Sequence, residues 1–220
     1  MNIRTQLVNQ NFTKGRLDKI EYIVIHDTGN NSTLATAEAH YRYFNGAGRN
    51  ASAHYFVDEK EVLQIIKDED TAWHVGDGKG KYGVTNNNSI GIEICINDGE
   101  YTTEIDKTLR LTKYLMNKYN IGIDKVVRHY DSSRKICPRI MSANNWAMWS
   151  KFKSDLQIML KPVENKPSTP STIKIKYKNV VKDFDGTFVN DKNYVSVREL
   201  AEALGFIVEW EQDTKTVVIK

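Results

Sequence analysis

The sequence predicts an α/β domain of about 160 residues, a central mixed sheet flanked by helices, followed by a small α+β module of about fifty residues. Three observations carry this. Short apolar runs alternate with stretches of helical periodicity over residues 1–160, the pattern of a sheet covered by helices. Three of the chain's four prolines fall at 162, 167 and 170, and a proline-rich stretch is an extended, stiff spacer. Beyond it the pattern starts afresh, with an alternating strand and a capped helix. The expected divisions are therefore 1–160, a linker at 161–170, and 171–220.

The elements follow in order. Tyr22–His26 is a short apolar run, read as a buried strand. Ser32 through Asn45 reads as a helix, with Ser32 or Thr33 as its cap. Ala53–Val57 and Val62–Ile66, separated by Asp58-Glu59-Lys60, read as a hairpin. Ser89–Ile96 is a second apolar strand. Ile105, Leu109, Leu111, Leu115, Met116 and Tyr119 recur at helical spacing, which predicts an amphipathic helix over 103–119. Lys125–His129 is a further strand, and Trp146–Leu160 a closing helix with Trp146, Trp149, Phe152 and Leu156 on one face. In the last fifty residues Ile173, Ile175 and Tyr177 alternate as a half-buried strand. Ser196 and Glu199 form a capping-box pattern, Leu200–Leu204 continues the helix, and Gly205 is a natural stop. Phe206–Trp210 and Thr216–Ile219 then read as a hairpin.

Composition excludes several classes. With 31 Lys+Arg against 28 Asp+Glu the net charge is +3, too small an excess to argue for nucleic-acid binding. Hydrophobic and charged fractions of 40% and 27% are ordinary for globular chains and argue against wholesale disorder. No stretch approaches the roughly 20 apolar residues of a membrane span. The N-terminus lacks the apolar segment of a signal peptide, so synthesis in the cytoplasm and exit by a route other than standard secretion are expected. Two cysteines, Cys95 and Cys137, are too few for a disulfide scaffold.

The chemistry-bearing residues are few. Glu93 is a charge inside Ile90-Gly-Ile-Glu-Ile-Cys-Ile96, sharing a face with Gly91 and Cys95 while the isoleucines take the other. It reads either as the solvated face of an edge strand or as a cleft carboxylate with a pKa raised by burial. His26 and His129 each end an apolar strand, and Cys137 lies eight residues after His129. Alone, each such histidine is usually a satisfied core or turn residue. Together, two His and one Cys can supply three Zn²⁺ ligands and leave a fourth position for water, the composition of a catalytic site.

Five segments occur in order: Ile23-Val-Ile-His-Asp-Thr28, Ser52-Ala-His-Tyr-Phe-Val57, Ala72-Trp-His-Val-Gly76, Ile90-Gly-Ile-Glu93, and Arg128-His129 with Lys135-Ile-Cys-Pro138. Together they resemble the zinc-dependent N-acetylmuramoyl-L-alanine amidases of phage endolysins and bacterial autolysins, relatives of the peptidoglycan-recognition proteins. The resemblance implies His26, His129 and Cys137 as zinc ligands, Glu93 as general base and Lys135 as the cation stabilising the transition state. It places His54, Trp73 and His74 along the substrate groove. Some members carry a tyrosine immediately before the histidine of the His-Tyr-Phe segment; here Ala53 stands there, which moves the burden onto Glu93. His40 reads as helix surface, Cys95 as a small buried hydrophobe, and Trp146 and Trp149 as core rather than sugar platforms.

What the resemblance implies is a hydrolase of bacterial peptidoglycan that cleaves the amide between N-acetylmuramic acid and L-alanine, acting on the wall after release from the cell. The same fold also serves non-hydrolytic peptidoglycan receptors, which often lack the cysteine; Cys137 favours the enzyme. Tyr194–Gly205 and Val208–Val217 resemble the copper amine oxidase N-terminal-like domains appended to cell-wall proteins of Gram-positive bacteria. This segment holds no His, Cys or Met, so no copper chemistry is implied. Wall attachment is its natural reading, with self-association as the rival.

Overall fold

The computed structural model describes residues 2–97, 99, 101–161, 169–177, 179–189 and 192–220. The chain divides into two compact units, Met1–Lys161 and Pro162–Lys220. In the first, β1 (Arg4–Thr5) and β2 (Phe12–Thr13) lead into β3 (Tyr22–Asp27), α1 (Ala37–Phe44), β4 (Tyr55–Val57), β5 (Val62–Gln64) and β6 (Thr71–Ala72). Then come β7 (Ser89–Ile94), α2 (Thr102–Tyr119), β8 (Val126–Arg128), α3 (His129–Ser133) and α4 (Ala143–Leu160). Six strands form one mixed sheet in the order β1-β5-β4-β7-β3-β8. β4, β7, β3 and β8 run parallel, β5 turns back antiparallel on β4, and β1 joins β5 in parallel. β2 and β6 pair separately.

The two faces of β7 do different work, as its alternation predicts. Ile90, Ile92 and Ile94 join Leu111 and Leu115 of α2 and Phe152 and Leu156 of α4 in the larger core. Cys95 packs on the opposite side with Phe56 and Ala37 of α1. Helices therefore cover both faces. Glu93 does not lie on an edge strand, because β7 runs between β4 and β3 in the middle of the sheet. The solvated-edge reading of this carboxylate fails for that reason.

Most expected elements appear, with shifted ends. Helix α1 begins at Ala37, later than Ser32 or Thr33 would require. Thr36 is the cap, its hydroxyl accepting from the Ala39 amide, and Asp58 Oδ2 accepts from the Ala37 amide at 2.8 Å. α4 opens with a left-handed turn at Asn144, Asn145 and Trp146 (φ 50°, 53° and 65°) before its regular part. Its indoles Trp146 and Trp149 pack against the core, as expected. His40 is not simply helix surface: its ring stacks on Phe56 with centroids 5.1 Å apart.

The second unit holds a three-stranded antiparallel sheet in the order β11-β10-β9, from β9 (Thr169–Tyr177), β10 (Val180–Val189) and β11 (Lys192–Val195). It continues with α5 (Val197–Ala203) and the hairpin β12 (Val208–Glu211)–β13 (Thr216–Ile219). Ser196 caps α5 by accepting from the Glu199 amide, and Gly205 follows at φ 90°. Of the expected linker, 162–168 lie outside the described residues. Its end, Thr169-Pro170, belongs to β9, an edge strand, where proline is tolerated. β10 and β11 are additions to the sequence reading.

Candidate active site

The site is built at the carboxyl ends of the parallel strands, where open α/β sheets place their ligands. His26 and Glu93 are register partners on β3 and β7. The chain leaves β8 at Arg128 and enters α3 with His129 as its first residue. Asp131 accepts from the Arg128 amide at 2.9 Å and pairs with its guanidinium at 2.6 Å, which fixes where α3 starts. The segment after α3 returns Cys137 to His26. It is anchored by Asp27, whose buried carboxylate accepts from the Ile140 amide at 2.8 Å.

His26, His129 and Cys137 are all buried, and their candidate ligand atoms lie within 4.8 Å of one another. His26 Nδ1 is 3.0 Å from His129 Nδ1 and 3.7 Å from Cys137 Sγ. Tetrahedral coordination at ordinary Zn–N and Zn–S lengths spaces two nitrogens roughly 3.3 Å apart and nitrogen from sulfur about 3.6 Å. Donor types and the two spacings from His26 therefore fit a small divalent cation. Among the described residues this is the one cluster of three such donors.

Each imidazole is also held from behind. His129 Nε2 lies 2.9 Å from Asp77 Oδ1, and Asp77 Oδ2 accepts from the Ser133 hydroxyl at 2.9 Å. His26 Nε2 lies 3.0 Å from His74 Nδ1, and His74 Nε2 is 3.1 Å from Ser89 Oγ. Glu93 Oε1 lies 4.0 Å from His26 Nδ1, and Glu93 Oε2 is buried with no hydrogen-bond partner. Burial, followed by repulsion from Asp27, pushes the Glu93 carboxyl up to about 8, although Lys135 opposes the shift. Burial also raises the Cys137 thiol, so a bound cation must favour its thiolate.

Beside this cluster, and sharing His129 with it, opens a cleft of ≈ 350 Å³ whose walls include Trp73, His74, Asp77, Asn86 and Lys135. Trp73 and His74 both line this cleft. His54 does not: it is 0% exposed. Its ring lies beneath the site, where Nδ1 accepts from the Gly91 amide at 3.0 Å and Nε2 abuts the Arg16 guanidinium at 2.6 Å. It can support the floor but cannot touch a substrate in the cleft. Sequence reasoning missed Asp77, Ser89, Asn86 and Arg16. Their signal is positional and depends on loop packing, although His74-Val-Gly-Asp77 adjoins a recognised segment.

The model of the N-acetylmuramoyl-L-alanine amidase family matches residues 16–140. The chain belongs to this family. That match spans the site from Arg16 to the Cys137 segment, so the amidase fold and the donor cluster coincide. A second family model, the copper amine oxidase N-terminal domain, matches residues 172–220. Among curated relatives, N-acetylmuramoyl-L-alanine amidase XlyA of Bacillus subtilis is 38% identical over 136 residues, covering 61% of this chain and 43% of that protein. N-acetylmuramoyl-L-alanine amidase CwlH of the same organism is 33% identical over 151 residues, covering 68% of this chain and 58% of that protein. The amidase chain thus spans about half the length of the curated relatives it matches. Among solved structures, the catalytic domain of XlyA superposes with a TM-score of 0.63 at 35% identity, covering 71% of this chain and 99% of that one. PlyL gives 0.62 at 32% identity, covering 71% and 97%.

Proposed function

We propose that this amidase hydrolyses bacterial peptidoglycan at the amide joining N-acetylmuramic acid to L-alanine, and that it does so with zinc held by His26, His129 and Cys137. The observation that carries the reading is one arrangement: three buried metal donors with an unpartnered buried carboxylate oxygen of Glu93 beside them, reached by an open cleft at His129. The family membership and the amidase names of the relatives support the same reaction.

Zinc bound there would polarise the scissile carbonyl and acidify water. The chain's own groups do the rest. Glu93, whose buried carboxylate lies beside His26 with one oxygen unpartnered, takes a proton from the attacking water and delivers it to the departing L-alanine amine. The Lys135 ammonium lines the same cleft and offsets the negative charge that develops on the carbonyl oxygen. Trp73 gives the cleft wall a flat apolar surface, steadied by its indole N–H donating to the Thr13 hydroxyl at 3.0 Å.

Two measurements test this. Purified chain is expected to carry one zinc and to release L-alanine amino termini from walls rather than reducing sugar ends; release of sugar ends instead overturns the assigned bond. Glu93→Gln keeps the metal donors intact and is expected to lose at least ~100-fold in turnover. Near-wild-type turnover in that variant sinks the assignment of Glu93. For the second unit we propose wall attachment, supported by its match to a module family distinct from the catalytic one.

A further inference from the structure

We propose that His74 and Asp77, carried on one short loop, are positioning residues that lock His26 and His129 into the tautomers and orientations aiming both Nδ1 lone pairs at the metal. This rests on the zinc reading above.

Proton accounting along the two contact chains gives the tautomers. A carboxylate can only accept, so His129 Nε2 carries the proton donated to Asp77 Oδ1, and His129 Nδ1 is a bare lone pair. The other chain ends just as firmly. The Thr85 carbonyl can only accept, and the Ser89 hydroxyl spends its single proton there. Ser89 Oγ must then accept from His74 Nε2–H. That leaves His74 Nδ1 without a proton, so it accepts from His26 Nε2–H. His26 Nδ1 is therefore the second bare lone pair, 3.0 Å from the first. Two lone pairs facing at that distance repel one another unless a cation lies between them.

The loop is built to hold these partners. Asn86 Oδ1 accepts from both the His74 and Val75 amides, at 2.9 and 2.8 Å. Gly91 lets the His74 ring lie directly on β7: a Cβ there would come within 2.7 Å of it. Gly78 lets the other end of the loop press on α3, where a Cβ would meet the Ser132 carbonyl oxygen at 2.2 Å. The loop is thus seated on the strand that carries Glu93 and on the helix that carries His129. Outer partners of this kind commonly change metal affinity 10–100-fold when removed.

The test is the zinc dissociation constant of the full chain, measured by competition with a chromophoric chelator, together with kcat and KM at saturating zinc. His74→Phe keeps a ring and removes both nitrogens; Asp77→Ala removes the acceptor. Each is expected to weaken zinc about 10–100-fold and to lower kcat more than it raises KM. Asp77→Asn, whose amide oxygen still accepts, is expected to recover most of the loss. Ser89→Ala acts from a buried position outside the cleft, so a smaller weakening in the same direction separates positioning from substrate contact even if His74→Phe folds poorly. Wild-type zinc affinity in Asp77→Ala and Ser89→Ala, with KM raised instead, overturns the proposal and makes these residues part of the groove. Failure of the wild-type chain to bind zinc overturns the zinc reading itself.

Discussion

Glu93 meets two opposed demands: the proposed chemistry asks for a proton acceptor, whereas the fold asks that nothing charged be buried without a partner. Its side chain is 20% exposed and one oxygen has no hydrogen-bond partner. The folded pKa, near 8 against an ordinary 4.5, makes a stability statement about the metal-free protein. Below pH 4.5 the carboxyl is neutral in both folded and unfolded chains and costs nothing. As pH rises from 4.5 to 8 the unfolded chain gains by ionising first, so stability falls across that window. Glu93→Gln is therefore expected to raise the melting temperature of the chelator-treated protein at pH 8 by roughly 5 °C, about 2 kcal/mol, and to leave it unchanged at pH 4. An equal effect at both pH values would remove the electrostatic explanation. The positions were legible in the sequence, a charge among isoleucines and two strand-end histidines; their proposed roles came only from the order of the five segments. His54 was legible only as chemistry, not as place. Its burial under Arg16 depends on a long-range contact of 38 residues' separation that no local pattern encodes.

Elements, by contrast, were legible in kind and misread at their ends, because ends depend on tertiary partners. The start of α1 illustrates this: Ser32 and Thr33 have capping chemistry, but Thr36 and Asp58 supply the acceptors that the helix uses. The hairpin β4–β5 and the helix α2 needed only their own periodicity and were readable from it. The loop bearing His74 and Asp77 has no periodicity at all. It is specified by the side chain of Asn86 and by two close backbone approaches, which sequence patterning does not express. Gly78→Ala is accordingly expected to destabilise the catalytic unit by about 2 kcal/mol or more, because the carbonyl of Ser132 cannot move without α3. The same variant should weaken zinc, since the Asp77–His129 contact spans that junction. Urea denaturation of the metal-free protein and chelator competition check the two effects separately.

For the whole molecule, the sequence reading of a catalytic and an appended module rests on a change of pattern at the prolines, and the chain divides into two compact units between residues 161 and 162. Each unit has its own sheet, so removing residues 171–220 is expected to leave the melting transition of the catalytic unit within about 1–2 °C of the full chain. Binding to purified walls should fall. If binding persists while the mass in solution changes, the second unit is an assembly element instead. The N-terminal end behaves differently. Arg16 donates to the carbonyls of Asp68, Asn86 and Asn87, and β1 and β2 tie the preceding residues to β5 and β6. Residues 2–16 are thus a strap across the segment that carries the cleft wall. For the construction of chimeras this sets a polarity: a different module can be exchanged behind α4, whereas splicing ahead of Arg16 would cut the fastening that keeps the loop of His74 and Asp77 in place.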